Sequence, residues 1–243
     1  MALSREQERA AVIFLAAGAG DISLAGGAAM ITHGLIDRTT KDLDARTRSL
    51  RQDVLVISAR VSKAFQAAGY TVEDRSRSDA LRSLLVTSPS KNRHARGRGR
   101  PPETVPIEIG ADHQALPSLP SRLGPILDPY ELGANKLLAV YDRTRPRDAD
   151  DIARLVTRLD LDTMLGIADA KMVHPLDRPQ LSEALRAFQR VPDRRFPFPE
   201  RAPAVRAFMR AIADSVEKGQ PLTDLGPYRL DRAIPGPADR SAR

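Results

Sequence analysis

Cysteine and tryptophan are both missing from the 243 residues, and aromatic residues make up only 4% of them. Without cysteine there is neither a disulfide framework nor a thiolate zinc site. That agrees with a cytoplasmic protein, the location expected here. With so few aromatics the core must rest on Leu, Ile, Val and Ala, which suits helices. Long apolar runs are lacking too. The longest, near Ala10 to Ala17, falls short of a membrane span. A clean basic leader is also absent: Ser4-Arg5-Glu6-Gln7-Glu8-Arg9 mixes charges where a secretion signal would not. It reads instead as a helix start, with Ser4 as N-cap and Gln7 at the capping-box position. The four histidines, His33, His94, His113 and His174, have no metal-ligand spacing, and no Gly-x-Ser-x-Gly elbow occurs. Zinc-enzyme and serine-hydrolase chemistry therefore have no residues to stand on.

What is present is enough hydrophobic sequence to fold, 42% of the chain, in one large domain or a catalytic domain with a smaller lobe. Lys and Arg number 38 against 31 Asp and Glu, a formal net charge of +7. Such a surface attracts polyanions such as nucleic acid, although an ordinary arginine-rich soluble protein has the same balance. The densest basic run, Lys91 to Arg100, sits in the Gly- and Pro-rich stretch Ser88 to Glu103, which reads as a mobile loop. Clustered arginines there could grip an RNA backbone by counterion release. The run has no aromatics for base stacking, and a solvated hairpin tip has the same composition.

Periodicity divides the chain. A helix to about Gly18 precedes a short strand, Asp21 to Leu24, the pair Gly26-Gly27, and a brief helix from Ala28 to Leu35. Lys41 to Thr47 reads as a strand. Val54, Ile57, Val61, Phe65 and Ala68 form one helical stripe that Gly69 ends. Leu81 to Thr87 and Thr104 to Ile109 are strand candidates. The second half is helical. Asp128-Pro129-Tyr130-Glu131 starts one helix, Pro146 another that runs through Leu159, Asp177-x-Pro179-Gln180 a third, and Val205 to Val216 marks the last. Strands early and helices late predict an α+β fold. A mixed-sheet lobe over residues 1–125 would precede a helical lobe over 126–220, with a loosely ordered tail over 221–243.

Two constellations carry chemistry. In the first, Leu24-Ala25-Gly26-Gly27 is followed by Arg38-Thr39-Thr40-Lys41-Asp42-Leu43-Asp44. Glycines after a strand let backbone approach phosphate closely. Side chains of a strand alternate, so Asp42 and Asp44 share a face and can hold metal together. Arg38 or Thr40 could steady a phosphate. In the second, Lys136 and Arg143 lie seven apart on one helix face, ahead of Arg147-Asp148-Ala149-Asp150-Asp151, where Asp148 and Asp151 share a face. On residues alone, Lys136 could snorkel from an apolar helix. Asp148 could equally serve the helix dipole at N3, and Arg143 and Arg147 could pair with nearby acids.

Together these blocks resemble the AbiEii/AbiGii-type toxins of the polymerase-beta-like nucleotidyltransferase superfamily. The first is similar to that family's Gly-Gly, short helix and Arg-x-[Ser/Thr]-x-Asp-[Leu/Ile]-Asp run. The second is similar to its Lys-x-x-Ala…Arg…Arg-Asp-x-x-Asp block. The resemblance implies a polymerase-beta-like lobe, a helical C-terminal lobe and a site in the cleft between them. It implies Mg²⁺ on Asp42 and Asp44, with a third carboxylate for which Glu108 is the candidate and Glu103 or Asp112 the substitutes. Here the chain departs from the family in carrying Pro106, a residue that favours edge strands. The resemblance further implies Gly26, Gly27, Arg38, Thr40 and Arg143 around the nucleotide, and Lys136, Asp148 and Asp151 in catalysis. The implied activity moves NMP from a nucleoside triphosphate to an RNA, transfer RNA above all, in a toxin held by a cognate antitoxin. A small-molecule acceptor, or a binding module without chemistry, are the alternatives.

Overall fold

The computed structural model describes residues 3–48, 51–76, 78–89 and 101–220. The basic run Lys91 to Arg100 and the tail from Pro221 lie outside them. The described residues form two units. One runs to Thr32 and resumes over Arg38–Asp128; the second takes His33–Asp37 and continues from Pro129.

In the first unit, helix α1 (Arg5–Gly18) opens with the expected capping box: Gln7 N donates to Ser4 Oγ and Ser4 N to Gln7 Oε1. It buries Ala10, Ala11, Phe14 and Leu15. Strand β1 (Ile22–Ala25), helix α2 (Gly26–Thr32), strand β2 (Leu43–Thr47), helix α3 (Arg51–Ala67) and strands β3 (Thr71–Asp74), β4 (Leu81–Thr87) and β5 (Thr104–Ala111) follow. Among the described residues the sheet has five strands in the order β1-β2-β5-β4-β3. Only β2 and β5 pair in parallel; the other pairs are antiparallel. The fold is thus α+β with a mixed sheet, as the order of elements predicts.

Three local details differ from the sequence reading. Gly26 and Gly27 form the first turn of α2 rather than preceding it, and that helix stops at Thr32. Strand β3, exposed along most of its length, has no alternation to betray it. Pro106 lies on the central strand, not an edge. Pairing of β5 with β2 begins one residue later, at Ile107, so the proline stands just ahead of that ladder. The outer side of β1 is closed by the chain itself, Leu24 N donating to Pro125 O and Leu127 N to Leu24 O.

The second unit is helical: α4 (Pro129–Asp142), α5 (Pro146–Leu155), α6 (Leu161–Lys171), α7 (Arg178–Ala187) and α8 (Ala202–Lys218). Asp177 caps α7 as expected, accepting from Gln180 N. Helix α5 ends at Leu155 instead of Leu159. Asp160 then caps a separate helix, accepting from Thr163 N at 2.7 Å. Gly133 on α4 lies against Met164 of α6, where a Cβ would meet the sulfur at 2.9 Å. A fully buried ion pair, Glu131 with Lys171, joins the same two helices. No helix among the described residues is long and apolar enough to cross a membrane.

Candidate active site

The first constellation comes together on the sheet of the first unit. Half-buried Asp42, Asp44 and Arg46 alternate with buried Leu43, Ala45 and Thr47, as a strand with one face in the core requires. Asp42 stands one residue ahead of β2, and Asp44 sits within it. Asp44 is in register with Glu108 of β5. Since registered residues of paired strands point to one side, Glu108 shares the face of the two aspartates, while Ile107 and Ile109 are buried on the other.

The glycines close on this face. Gly26 has φ +58, a left-handed conformation, and a Cβ there would overlap the Asp44 carboxylate, 2.7 Å from its Cγ. A Cβ on Gly27 would stand 2.8 Å from Thr40 Oγ1 and 3.5 Å from Arg38 Nη1. Both positions therefore need glycine for space, and Gly26 for its backbone as well. Thr40 and Arg38 are themselves buried. Thr40 Oγ1 donates to Asp42 Oδ1 at 2.5 Å, and its carbonyl accepts from Gln7 Nε2 at 2.8 Å. The capping box of α1 thus reaches the loop that carries Asp42.

The donor set on this face is carboxylate oxygen, the hard chemistry that suits Mg²⁺. Among the described residues no three His, Asp or Glu side chains gather closely enough to cage an ion alone. Mg²⁺ ordinarily takes one or two carboxylates and completes its shell with water and substrate phosphate, so the residues fit such an ion. Sequence reading missed Arg46. It lies on the same face, one rung beyond Asp44, and opposite Gly110, whose missing side chain leaves room for the guanidinium. Continuing the alternation from Asp42 and Asp44 was the signal that points to it.

The second constellation assembles in the helical unit. Lys136 Nζ on α4 is 2.8 Å from Asp148 Oδ1 and 2.9 Å from Asp151 Oδ2 on α5. Arg143 Nε approaches the other Asp148 oxygen at 3.5 Å. Lys136 does not snorkel into water: its side chain is 12% exposed, and those of its two partners 4% and 0%. Asp148 lies in the first turn of α5 after Pro146, so its dipole role and its pairing with Lys136 coexist. The next face of α5 holds a second network. Arg154 Nη1 meets Asp37 at 2.5 Å, and its Nε meets Asp150 at 3.1 Å. Burial pushes the Asp150 carboxyl up from its usual range, against the opposing pull of Arg154.

Residues 11–234 match the family described as nucleotidyl transferase AbiEii toxin, type IV TA system. The chain belongs to this family. It is accordingly a nucleotidyltransferase of a type IV toxin–antitoxin family, which implies a nucleotide substrate and an antitoxin partner. Solved structures share the fold of this AbiEii protein, two of them as follows. JHP933 from Helicobacter pylori is 18% identical, with a TM-score of 0.54 over 90% of this chain and 96% of that one. MenT4, a nucleotidyltransferase toxin from Mycobacterium tuberculosis H37Rv, is 16% identical, with a TM-score of 0.55 over 91% of this chain and 84% of that one. No curated protein matches.

Proposed function

We propose that this AbiEii-family chain moves a nucleoside monophosphate from a nucleoside triphosphate to a hydroxyl of an RNA acceptor, transfer RNA, as the cytoplasmic toxin of its pair. The observation that carries the reading is the packing of Gly26 and Gly27 on Asp44, Thr40 and Arg38. It leaves side-chain-free backbone beside two carboxylates, the combination a metal-bound triphosphate requires.

Mg²⁺ held by Asp42 and Asp44, with Glu108 beside them, would supply neutralisation of the triphosphate charge. Thr40 fixes the Asp42 carboxylate by its hydrogen bond, and Gly26 and Gly27 admit the phosphates. The acceptor oxygen attacks the α-phosphorus in line, forming the new P–O bond while the bond to pyrophosphate breaks and its electron pair leaves with pyrophosphate. Lys136 and Arg143 offset the charge of the phosphates. Asp148 and Asp151 hold the Lys136 ammonium, and one of them assists the acceptor hydroxyl. These contributions are electrostatic and positional, as phosphoryl-type transfers demand.

The test is incubation of the purified chain with total transfer RNA, Mg²⁺ and each α-³²P-labelled triphosphate in turn, beside Asp42→Ala. Label entering RNA with the wild type alone is the expected result, and it names the base. Label that enters no RNA with any triphosphate would overturn the RNA acceptor, and hydroxylated small molecules then take its place in the assay.

A further inference from the structure

Between α7 and α8 the chain runs through three short 3₁₀ turns, Phe188–Arg190, Asp193–Arg195 and Pro199–Arg201. Over Phe188 to Arg210 the sequence carries six arginines, at 190, 194, 195, 201, 206 and 210, against two acids, Asp193 and Glu200. Arg210 donates to Gln189 Oε1 at 2.9 Å, and the other five divide into two sets by what they touch. Arg201 and Arg206 work inward. Arg201 lies 4.4 Å from the centre of the Phe198 ring and pairs with Asp37 at 3.5 Å. Arg206 donates to Val191 O at 2.8 Å, pairs with Asp193 at 2.5 Å and stands over Phe196. Arg190, Arg194 and Arg195 are exposed, and among the described residues no acid pairs with any of them.

The segment beneath them is fixed. Phe188 and Phe196 are buried, and Gln189 Nε2 donates to Arg206 O at 2.6 Å. Pro192, Pro197 and Pro199 restrict the backbone further. Asp193, the acid nearest two of the exposed arginines in sequence, is already engaged by Arg206. The result is an ordered element that presents three cations, with Phe188 and Phe196 buried and the half-buried Phe198 ring covered by Arg154 and Arg201. A protein partner would need apolar anchors to desolvate at the centre of its interface. A phosphate backbone needs only positioned cations, because release of condensed counterions supplies the driving force.

We propose that the segment Phe188 to Arg201 docks the phosphate backbone of the RNA acceptor, with Arg190, Arg194 and Arg195 each taking a phosphate. This rests on the RNA reading of the function and adds the surface that holds the substrate.

The experiment measures binding of total transfer RNA to the full chain across a salt series, for the wild type, the triple variant Arg190→Ala/Arg194→Ala/Arg195→Ala and the corresponding triple lysine variant. Each lost phosphate contact removes about 0.7–0.9 from the slope of log K against log salt, so the alanine triple is expected to lose roughly two to three. Its affinity should fall at least tenfold, and its KM for RNA should rise while its KM for triphosphate stays put. The lysine triple, which keeps the charges, should bind within a few-fold of the wild type. Thermal melting of all three proteins controls for folding. An alanine triple with unchanged affinity and salt slope overturns the proposal. So does one that binds RNA normally but escapes its protein antitoxin, which would make the surface a protein-docking site. Lysines that fail as completely as alanines, with normal melting, overturn the charge argument. Wild type that labels no RNA sinks the acceptor reading itself, whereas wild type and alanine triple labelling RNA with equal KM sink only the docking surface.

Discussion

At the scale of single residues, two positions decide most. Gly26 combines a left-handed backbone with contact to the Asp44 carboxylate. Alanine there meets a conformational cost of about 1–2 kcal/mol and a collision with the group proposed to hold metal. Gly26→Ala should therefore abolish label transfer while the protein still melts cooperatively; transfer within a few-fold of wild type would show that the glycine does not shape the site. Lys136 tells the complementary story. Its removal strands Asp148 and Asp151, both buried, without their shared cation. Breaking a buried pair in this way costs about 3–5 kcal/mol, so Lys136→Met should unfold at distinctly lower denaturant, whereas Lys136→Arg, which keeps the charge, should be milder. The motif reading located these residues and grouped Lys136 with Asp148 and Asp151 in catalysis. That Asp148 and Asp151 of the next helix both clasp the lysine, from two sides, depends on how α4 and α5 pack, which spacing within one helix does not encode.

At the scale of elements, caps and helix faces set the site. The α1 capping box was legible because Ser-x-x-Gln satisfies two backbone groups within four residues, a purely local transaction. Its reach to Thr40 O through Gln7 Nε2 was not legible, since it spans 33 positions. Gln7→Ala should cost about 1–2 kcal/mol through the lost hydrogen bonds and reduce transfer by loosening the loop before Asp42, a result read by comparing melting with turnover. Helix α5 puts Asp148 and Asp151 toward Lys136, and Asp150 and Arg154 toward Asp37. Burial raises the Asp150 carboxyl above its ordinary 3.8. The folded chain then keeps this proton at pH values where the unfolded chain has released it. Stability from this group is full below 3.8 and is lost as pH rises through the folded value. Asp150→Asn has no such titration, so the wild type should lose stability relative to it as pH rises from about 3.8; parallel stability curves across that window would contradict the burial argument. Helix α5 also shows where periodicity misleads. Its apolar pattern continues past Leu155, yet Asp160 starts a new helix, and only the fold decides which signal prevails.

At the scale of the whole molecule, the five residues His33–Asp37 leave the first unit and join the second before the chain returns at Arg38. Linear reading assigned them to the tail of a helix and the approach to a strand, with a single boundary near residue 125. Leu35 and Ile36 are buried, and Arg158 Nη1 donates to Gly34 O at 2.5 Å. The core of each unit is built from aliphatic and a few aromatic side chains. Chelation with EDTA should therefore stop label transfer and leave the melting curve in place, and restored Mg²⁺ should bring transfer back; a chain that unfolds on chelation would require a structural metal instead. The sequence by itself determined the fold class, the family, the caps and the glycine-rich and Asp-x-Asp runs. All of these arise from local periodicity, hydrogen bonds within a turn, or residue types set close together. Only the tertiary structure decided that β5 is central and places Glu108 beside Asp44, that Arg46 shares their face, and that Lys136 is clasped rather than solvated. Each of these depends on which distant segments pack together, and hydrophobic burial selects that pairing for the chain as a whole, without leaving a mark on any short stretch of it.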